Sequence, residues 1–136
     1  MAIPKDINFL IVDDFFSVRK IITSNLKRMG FTGKLLEADN ITDAEQILRE
    51  QSAGDAPIHF ICSDWDMPGG SGLDFLKIVR ADEQFKNLPF LMVTAVGEKD
   101  NVLQAIQAGA SNYLMKPWTI NDFTKRLDAA WNKHNK

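Results

Sequence analysis

Apolar residues recur along the chain in two alternating patterns: short runs rich in β-branched residues, and longer stretches in which they fall three or four apart. Ile7 to Val12 is the first short run, as expected of a strand buried on both faces. Ser17 to Met29 then sets Val18, Ile21, Ile22, Leu26 and Met29 at helical spacing, with Ser17 as N-cap and Gly30 as stop. Lys34 to Ala38 reads as a weaker strand. Thr42-x-x-Glu45 has the form of a capping box, and Ala44, Ile47 and Leu48 give its helix an apolar side. Ile58 to Cys62 is the third strand, and Leu73, Phe75, Leu76 and Val79 line the helix after it. Phe90 to Val93 follows Pro89 as a fourth strand. Val102, Leu103 and Ile106 mark a short helix that ends at Gly109. Tyr113 to Met115 is the fifth strand. Thr119-x-x-Asp122 resembles a capping box, and Ile120, Phe123, Leu127, Ala130 and Trp131 form the last apolar stripe.

Strand and helix alternate five times, which predicts an α/β fold: one doubly wound parallel sheet with helices on both faces. Without repeats or a linker-like boundary, residues 1–136 are expected to form one domain. In open sheets of this kind, ligands bind at the carboxyl ends of the strands. Asp13-Asp14, Ser63-Asp64, Thr94-Ala95 and Lys116-Pro117 occupy those ends, so Asp13, Asp14, Asp64, Thr94 and Lys116 converge on one rim from distant parts of the chain.

That convergence has a chemical meaning. Two carboxylates about 4 Å apart repel by about 4 kcal/mol at an effective dielectric near 20, and a divalent cation removes the conflict. Carboxylate and water ligands suit Mg²⁺, which keeps positions open for phosphate. Lys116 supplies a point charge for a phosphoryl oxygen, and Thr94 a hydroxyl donor. An aspartate can itself accept a phosphoryl group. Asp64 is the candidate nucleophile, on a loop shaped by Pro68, Gly69 and Gly70.

Composition changes the picture mainly by exclusion. The net charge of −2 provides no basic field for nucleic acid. No apolar run approaches the roughly 20 residues that span a bilayer. The N-terminus lacks the pattern of a signal peptide, and the single cysteine, Cys62, excludes an internal disulfide, so a cytoplasmic setting is the expectation. Cys62 reads as a small buried hydrophobe. His59 and His134 lack the spacing of a zinc site. Trp65, between two acids, is expected to be part-exposed beside the site.

Four segments, FLIVDDFFSVRK, SDWDMPGGSGLDFLK, MVTAVGEKDN and AGASNYLMKPW, resemble the receiver domains of two-component response regulators, and among these the single-domain chemotaxis regulators. The resemblance covers nearly the whole chain. It implies the flavodoxin-like strand order 2-1-3-4-5, which is carried over from the family. It further implies that Asp64 is the phosphoacceptor and that Mg²⁺ is held by Asp13, Asp14, Asp64 and the backbone carbonyl of Asp66. Lys116 then matches the phosphate-contacting lysine, with a cis bond to Pro117. Thr94 and Tyr113 match the switch residues, and Lys99, Val102 and Tyr113 fall on the partner face formed by the fourth helix, fifth strand and fifth helix. The implied partners are a histidine kinase and a target, foremost the flagellar motor switch, with a phosphatase as a further candidate. The implied protein is a monomeric signalling domain with self-catalysed phosphoryl transfer rather than an enzyme, and phosphorylation shifts its conformational population.

Two positions depart from the pattern: Asp66 stands where chemotaxis regulators carry Asn, and Val96 where close relatives carry Glu. Both border the path of hydrolysis. Three alternatives remain: a stand-alone receiver acting as a phosphate sink or in a non-flagellar pathway, a haloacid-dehalogenase-type phosphatase, and a flavodoxin. Asp64-Trp65-Asp66 resembles the D-x-D of those phosphatases, but there the motif follows the first strand. A flavodoxin needs a hydroxyl- and glycine-rich phosphate loop where this chain has Asp13-Asp14-Phe15-Phe16.

Overall fold

The computed structural model describes residues 2–67, 69–95 and 99–135. Five strands, β1 (Phe9–Val12), β2 (Leu35–Ala38), β3 (Phe60–Asp64), β4 (Phe90–Ala95) and β5 (Asn112–Lys116), alternate with α1 (Phe16–Arg28), α2 (Ile41–Ala53), α3 (Gly72–Ala81), α4 (Lys99–Gln107) and α5 (Ile120–His134). All pairings are parallel, in the order β2-β1-β3-β4-β5. The doubly wound α/β architecture expected from the alternation is therefore the observed one.

Alternate residues of the central strands feed two separate cores. Phe9, Ile11, Phe60, Cys62, Leu91 and Val93 meet Ile22 and Leu26 of α1 and Phe123, Leu127 and Trp131 of α5. Leu10, Val12, Ile61 and Met92 meet Ala44 and Leu48 of α2, Phe75, Leu76 and Val79 of α3, and Ala105 of α4. Strands covered on both faces need apolar residues at every position, which is why β1 reads as an unbroken run. Cys62 is fully buried, and burial pushes its thiol far above the ordinary range, as befits a core residue.

Helix ends depart from expectation in two places. Ser17 does not cap α1: the Asp13 carboxylate accepts the Phe15 N–H at 2.9 Å, and the resulting turn starts the helix at Phe16. Nor does Thr42 open α2, because Asn40 lies two residues earlier and accepts the Asp43 N–H at 2.8 Å. Glu45 instead pairs with Arg49 at 3.0 Å. The Thr119–Asp122 capping box forms as expected, and a second box joins Ser71 and Asp74. Gly30 ends α1 with a φ of 95°, where the Phe31 N–H reaches back to the Leu26 carbonyl and the Gly30 N–H to that of Lys27.

Three residues read as helix-core positions face outward. Ile21 is 51% exposed, Leu103 60% and Ile106 42%. Ile21 borders a cleft of about 200 Å³ with Val18, Lys116, Pro117 and Trp118. On α4 the residue that enters the core is the small Ala105. Both histidines serve the scaffold at the strands' amino ends. His59 Nδ1 accepts the Asn8 N–H at 2.9 Å. His134 Nε2 lies 2.6 Å from Ser111 Oγ, which accepts from Phe90 N–H and Arg80.

Candidate functional site

The sheet register decides which side chains meet. Val12 pairs with Ser63 and Asp64 with Val93, so Asp13, one residue past β1, lies level with Asp64 at the tip of β3. Ala95 pairs with Lys116, which sets the lysine one strand further along the same rim. Oxygens of Asp13, Asp14 and Asp64 all lie within 4.8 Å of one another. Lys116 Nζ donates to Asp64 Oδ1 at 2.9 Å and to Asp13 Oδ2 at 3.4 Å. Residues 103 positions apart thus form one acidic nest with the Lys116 ammonium inside it.

Burial sets the charge state of this nest. Asp64 is 5% exposed, and loss of water together with the nearby Asp13 charge pushes its carboxyl from 3.8 up to about 6, against the pull of Lys116. Burial likewise raises Asp13, with the Phe15 N–H and Lys116 working in the opposite direction. Burial would lower Lys116, but its bonds to Asp64 and Asp13 outweigh this and leave it raised and protonated. Asp64 therefore keeps its proton to higher pH folded than unfolded. Its titration favours the folded state most below 3.8, and this contribution disappears as the pH rises through about 6. The displacement corresponds to roughly 3 kcal/mol. In metal-free protein, wild-type stability is expected to fall relative to Asp64→Asn by that order between pH 4 and pH 7, read by urea unfolding in chelator. A difference that stays flat across this range would show that Asp64 titrates as in an unfolded chain.

Two buried polar atoms at this rim, Asp14 Oδ1 and Thr94 Oγ1, have no hydrogen-bond partner among the described residues. Leaving such atoms unsatisfied costs about 1–3 kcal/mol each. Oxygen-only donors, surplus negative charge and an unpartnered carboxylate oxygen fit a hard divalent cation such as Mg²⁺. Thr94 is buried in β4 opposite Met115, and Tyr113 is half-buried in β5 opposite Met92. Asp66 is exposed on the loop after β3, outside the three-acid cluster. Trp65 is half-buried against the α2–α3–α4 core. Lys99 is exposed and Val102 half-buried on α4. Pro68 and Val96 lie outside the described residues. The Lys116–Pro117 peptide is cis.

Several supporting residues carried no signal in the sequence. Arg19 donates to the Asp13 carbonyl at 2.6 Å and to Glu37 at 2.9 Å, tying the β1 tip to β2. The Trp118 indole donates to Asn25 at 3.0 Å and stacks on Phe123, fixing the loop after Lys116 against α1. Gly72 donates its N–H to the Trp65 carbonyl at 2.7 Å, and a Cβ there would run into the Asp64 carbonyl. Gly72→Ala is expected to cost about 1–3 kcal/mol through this overlap, seen as a lower melting temperature and altered Trp65 fluorescence. An unchanged melt would mean that the loop absorbs the methyl group.

The family described as response regulator receiver domain matches residues 9–128. The chain is 40% identical over 126 residues to the chemotaxis protein CheY of Pseudomonas aeruginosa, across 93% of this chain and 97% of that one. Chemotaxis protein CheY-3 of Vibrio cholerae is 40% identical over 124 residues, 91% of either chain. Among solved structures, the chemotaxis response regulator CheY4 of Vibrio cholerae superposes with a TM-score of 0.77 at 28% identity, covering 92% of this chain and 98% of that one. A receiver domain protein from Clostridium thermocellum gives 0.80 at 26% identity, with coverage of 95% and 97%.

Proposed function

The chain belongs to the response regulator receiver family, and on that premise we propose that residues 1–136 form a single CheY-like receiver whose Asp64 accepts a phosphoryl group from a histidine kinase. The modified protein then changes its affinity for a target, which we take to be the flagellar motor switch because the matched relatives are chemotaxis proteins. The observation that carries the proposal is the meeting of Asp13, Asp14, Asp64 and Lys116 at the strand tips.

The chemistry follows from the residues present. A carboxylate oxygen of Asp64 forms a bond to phosphorus while the P–N bond to the donor imidazole breaks, its electron pair returning to nitrogen. Such transfer is loose and depends on positioning and charge neutralisation. Asp13, Asp14 and Asp64, with the Asp66 carbonyl, are the groups that would hold Mg²⁺. Bound there, the ion supplies positive charge to the non-bridging phosphoryl oxygens. Lys116 holds Asp64 in place before transfer and is at hand for a phosphoryl oxygen afterwards. Thr94 offers its unpartnered hydroxyl to another, and its movement draws Tyr113 with it. The change reaches the face bearing Lys99, Val102 and Tyr113, where the target binds.

Intact mass after incubation with acetyl phosphate tests the acceptor reading. Asp66 tests the lifetime of the product. Its exposed carboxylate can take a proton from an attacking water where the family's Asn cannot. Asp66→Asn is expected to alter the decay of the phosphorylated mass severalfold while leaving its rate of appearance nearly unchanged. Equal decay in the two proteins would remove Asp66 from hydrolysis.

A further inference from the structure

Tyr113 is the chain's single tyrosine, and Arg126 of α5 lies across it. The guanidinium carbon stands 4.3 Å from the ring centroid, and Nη2 donates to the phenolic oxygen at 3.3 Å. Nη1 donates to Asn112 Oδ1 at 3.2 Å, the same oxygen that accepts the Tyr113 backbone N–H at 2.8 Å. One side chain therefore covers the ring face, bonds the hydroxyl and anchors itself on the preceding residue. Asp122, one turn earlier in α5, commits its carboxylate to the Thr119 N–H. Among the described residues no carboxylate lies within ion-pair distance of Arg126, and its close contacts on this side are the Tyr113 ring and hydroxyl and Asn112.

We propose that Arg126 is a positioning residue: a latch that holds Tyr113 in its unphosphorylated orientation and raises the threshold for the switch. The inference rests on the reading of Tyr113 given above. A cation stacked on an aromatic face gains from the ring quadrupole, and the planar fork can bond Tyr113 and Asn112 while it stacks. A Lys ammonium in its place keeps the charge and loses the fork. Movement of Tyr113 must break this hold, so whatever favours the moved state has to supply that free energy as well.

A single tyrosine makes the test direct. Uniform 3-fluorotyrosine labelling gives one ¹⁹F resonance, followed while beryllofluoride, a phosphoryl mimic, is titrated in with Mg²⁺. In Arg126→Gln the mimic-free resonance is expected to lie nearer the wild-type mimic-bound position, and half-saturation to need about fivefold less beryllofluoride. Arg126→Lys should fall between the two. Loss of a positive charge would by itself weaken anion binding and move the midpoint the other way, so the sign separates release of a latch from a general electrostatic effect. A midpoint in Arg126→Gln equal to or above wild type overturns the latch alone. A wild-type resonance that ignores beryllofluoride overturns the Tyr113 switch, and the latch with it.

Discussion

Incubated with acetyl phosphate and Mg²⁺, the protein is expected to gain the mass of one phosphoryl group, and Asp64→Asn is expected to gain none. The loss should be complete because the substitution removes the nucleophile while keeping its shape. An amide oxygen at the tip of β3 can still accept the Lys116 hydrogen bond seen at 2.9 Å. It carries no full negative charge, however, and cannot form a stable acyl phosphate. Asp13 is not a substitute: it is 1% exposed and its Oδ1 is engaged by the Phe15 N–H. Chelation of Mg²⁺ should suppress the gain in wild type, since a single lysine faces three carboxylates and an incoming phosphoryl group would add further negative charge. A phosphoryl gain that persists in Asp64→Asn would move the acceptor elsewhere. No gain in wild type under any condition would leave the nest as a binding site without acceptor chemistry.

The second large effect is a reversal of stability by metal. In chelator, Asp13→Asn is expected to be more stable than wild type by about 1–2 kcal/mol, or roughly 4–8 °C in melting temperature for a domain of this size. Carboxylates within 4.8 Å repel by roughly 3–4 kcal/mol at an effective dielectric near 20, and Lys116 offsets part of this. Burial raises the Asp13 carboxyl despite that lysine, which means that the ionised form is held at a cost. An Asn removes the charge and keeps an oxygen for the Phe15 N–H. With Mg²⁺ the order should invert. A ligand at a hundred times its Kd stabilises by about 2.7 kcal/mol, and wild type should gain most of this while the variant gains little. Thermal melts of both proteins with and without Mg²⁺ decide the matter. A variant less stable than wild type in chelator would show that the nest is stabilised by its own ion pairs, and that the case for a cation is weaker than its geometry suggests.

Strain of this sort at a strand tip is a property of assembly, and it marks the boundary between what could and could not be read from the chain. Strand and helix identity was legible throughout, because a two-sided sheet demands unbroken apolar runs and its covering helices demand a stripe. Element ends were less legible. Ser17 and Thr42 have the right chemistry for caps, but the Asp13 turn starts α1 before Ser17 with no side-chain cap, and Asn40 caps α2 two residues before Thr42. Burial within helices was legible only where the stripe was wide. On α4, Leu103 and Ile106 carry the apolar signal, yet they stand exposed and the buried residue is the small Ala105. The acids and Lys116 were legible because strand ends collect functional groups. Their supports were not: Arg19, Gly72, Trp118 and Arg126 look ordinary until the fold brings each against a partner from another element.

Taken alone, the sequence determined the alternation of strands and helices and the residue types that stand at the strand tips, since both follow from local pattern: hydrophobic period and turn chemistry. Tertiary structure alone decided the electrostatics and the restraints. The raised carboxyl of Asp64, the unpartnered oxygens of Asp14 and Thr94, and the grip of Arg126 on Tyr113 all depend on distances between residues far apart in the chain. Charge interactions fall off over a few ångströms in a medium that excludes water. No local pattern encodes such a distance, because it is set only when β1, β3 and β5 are in register.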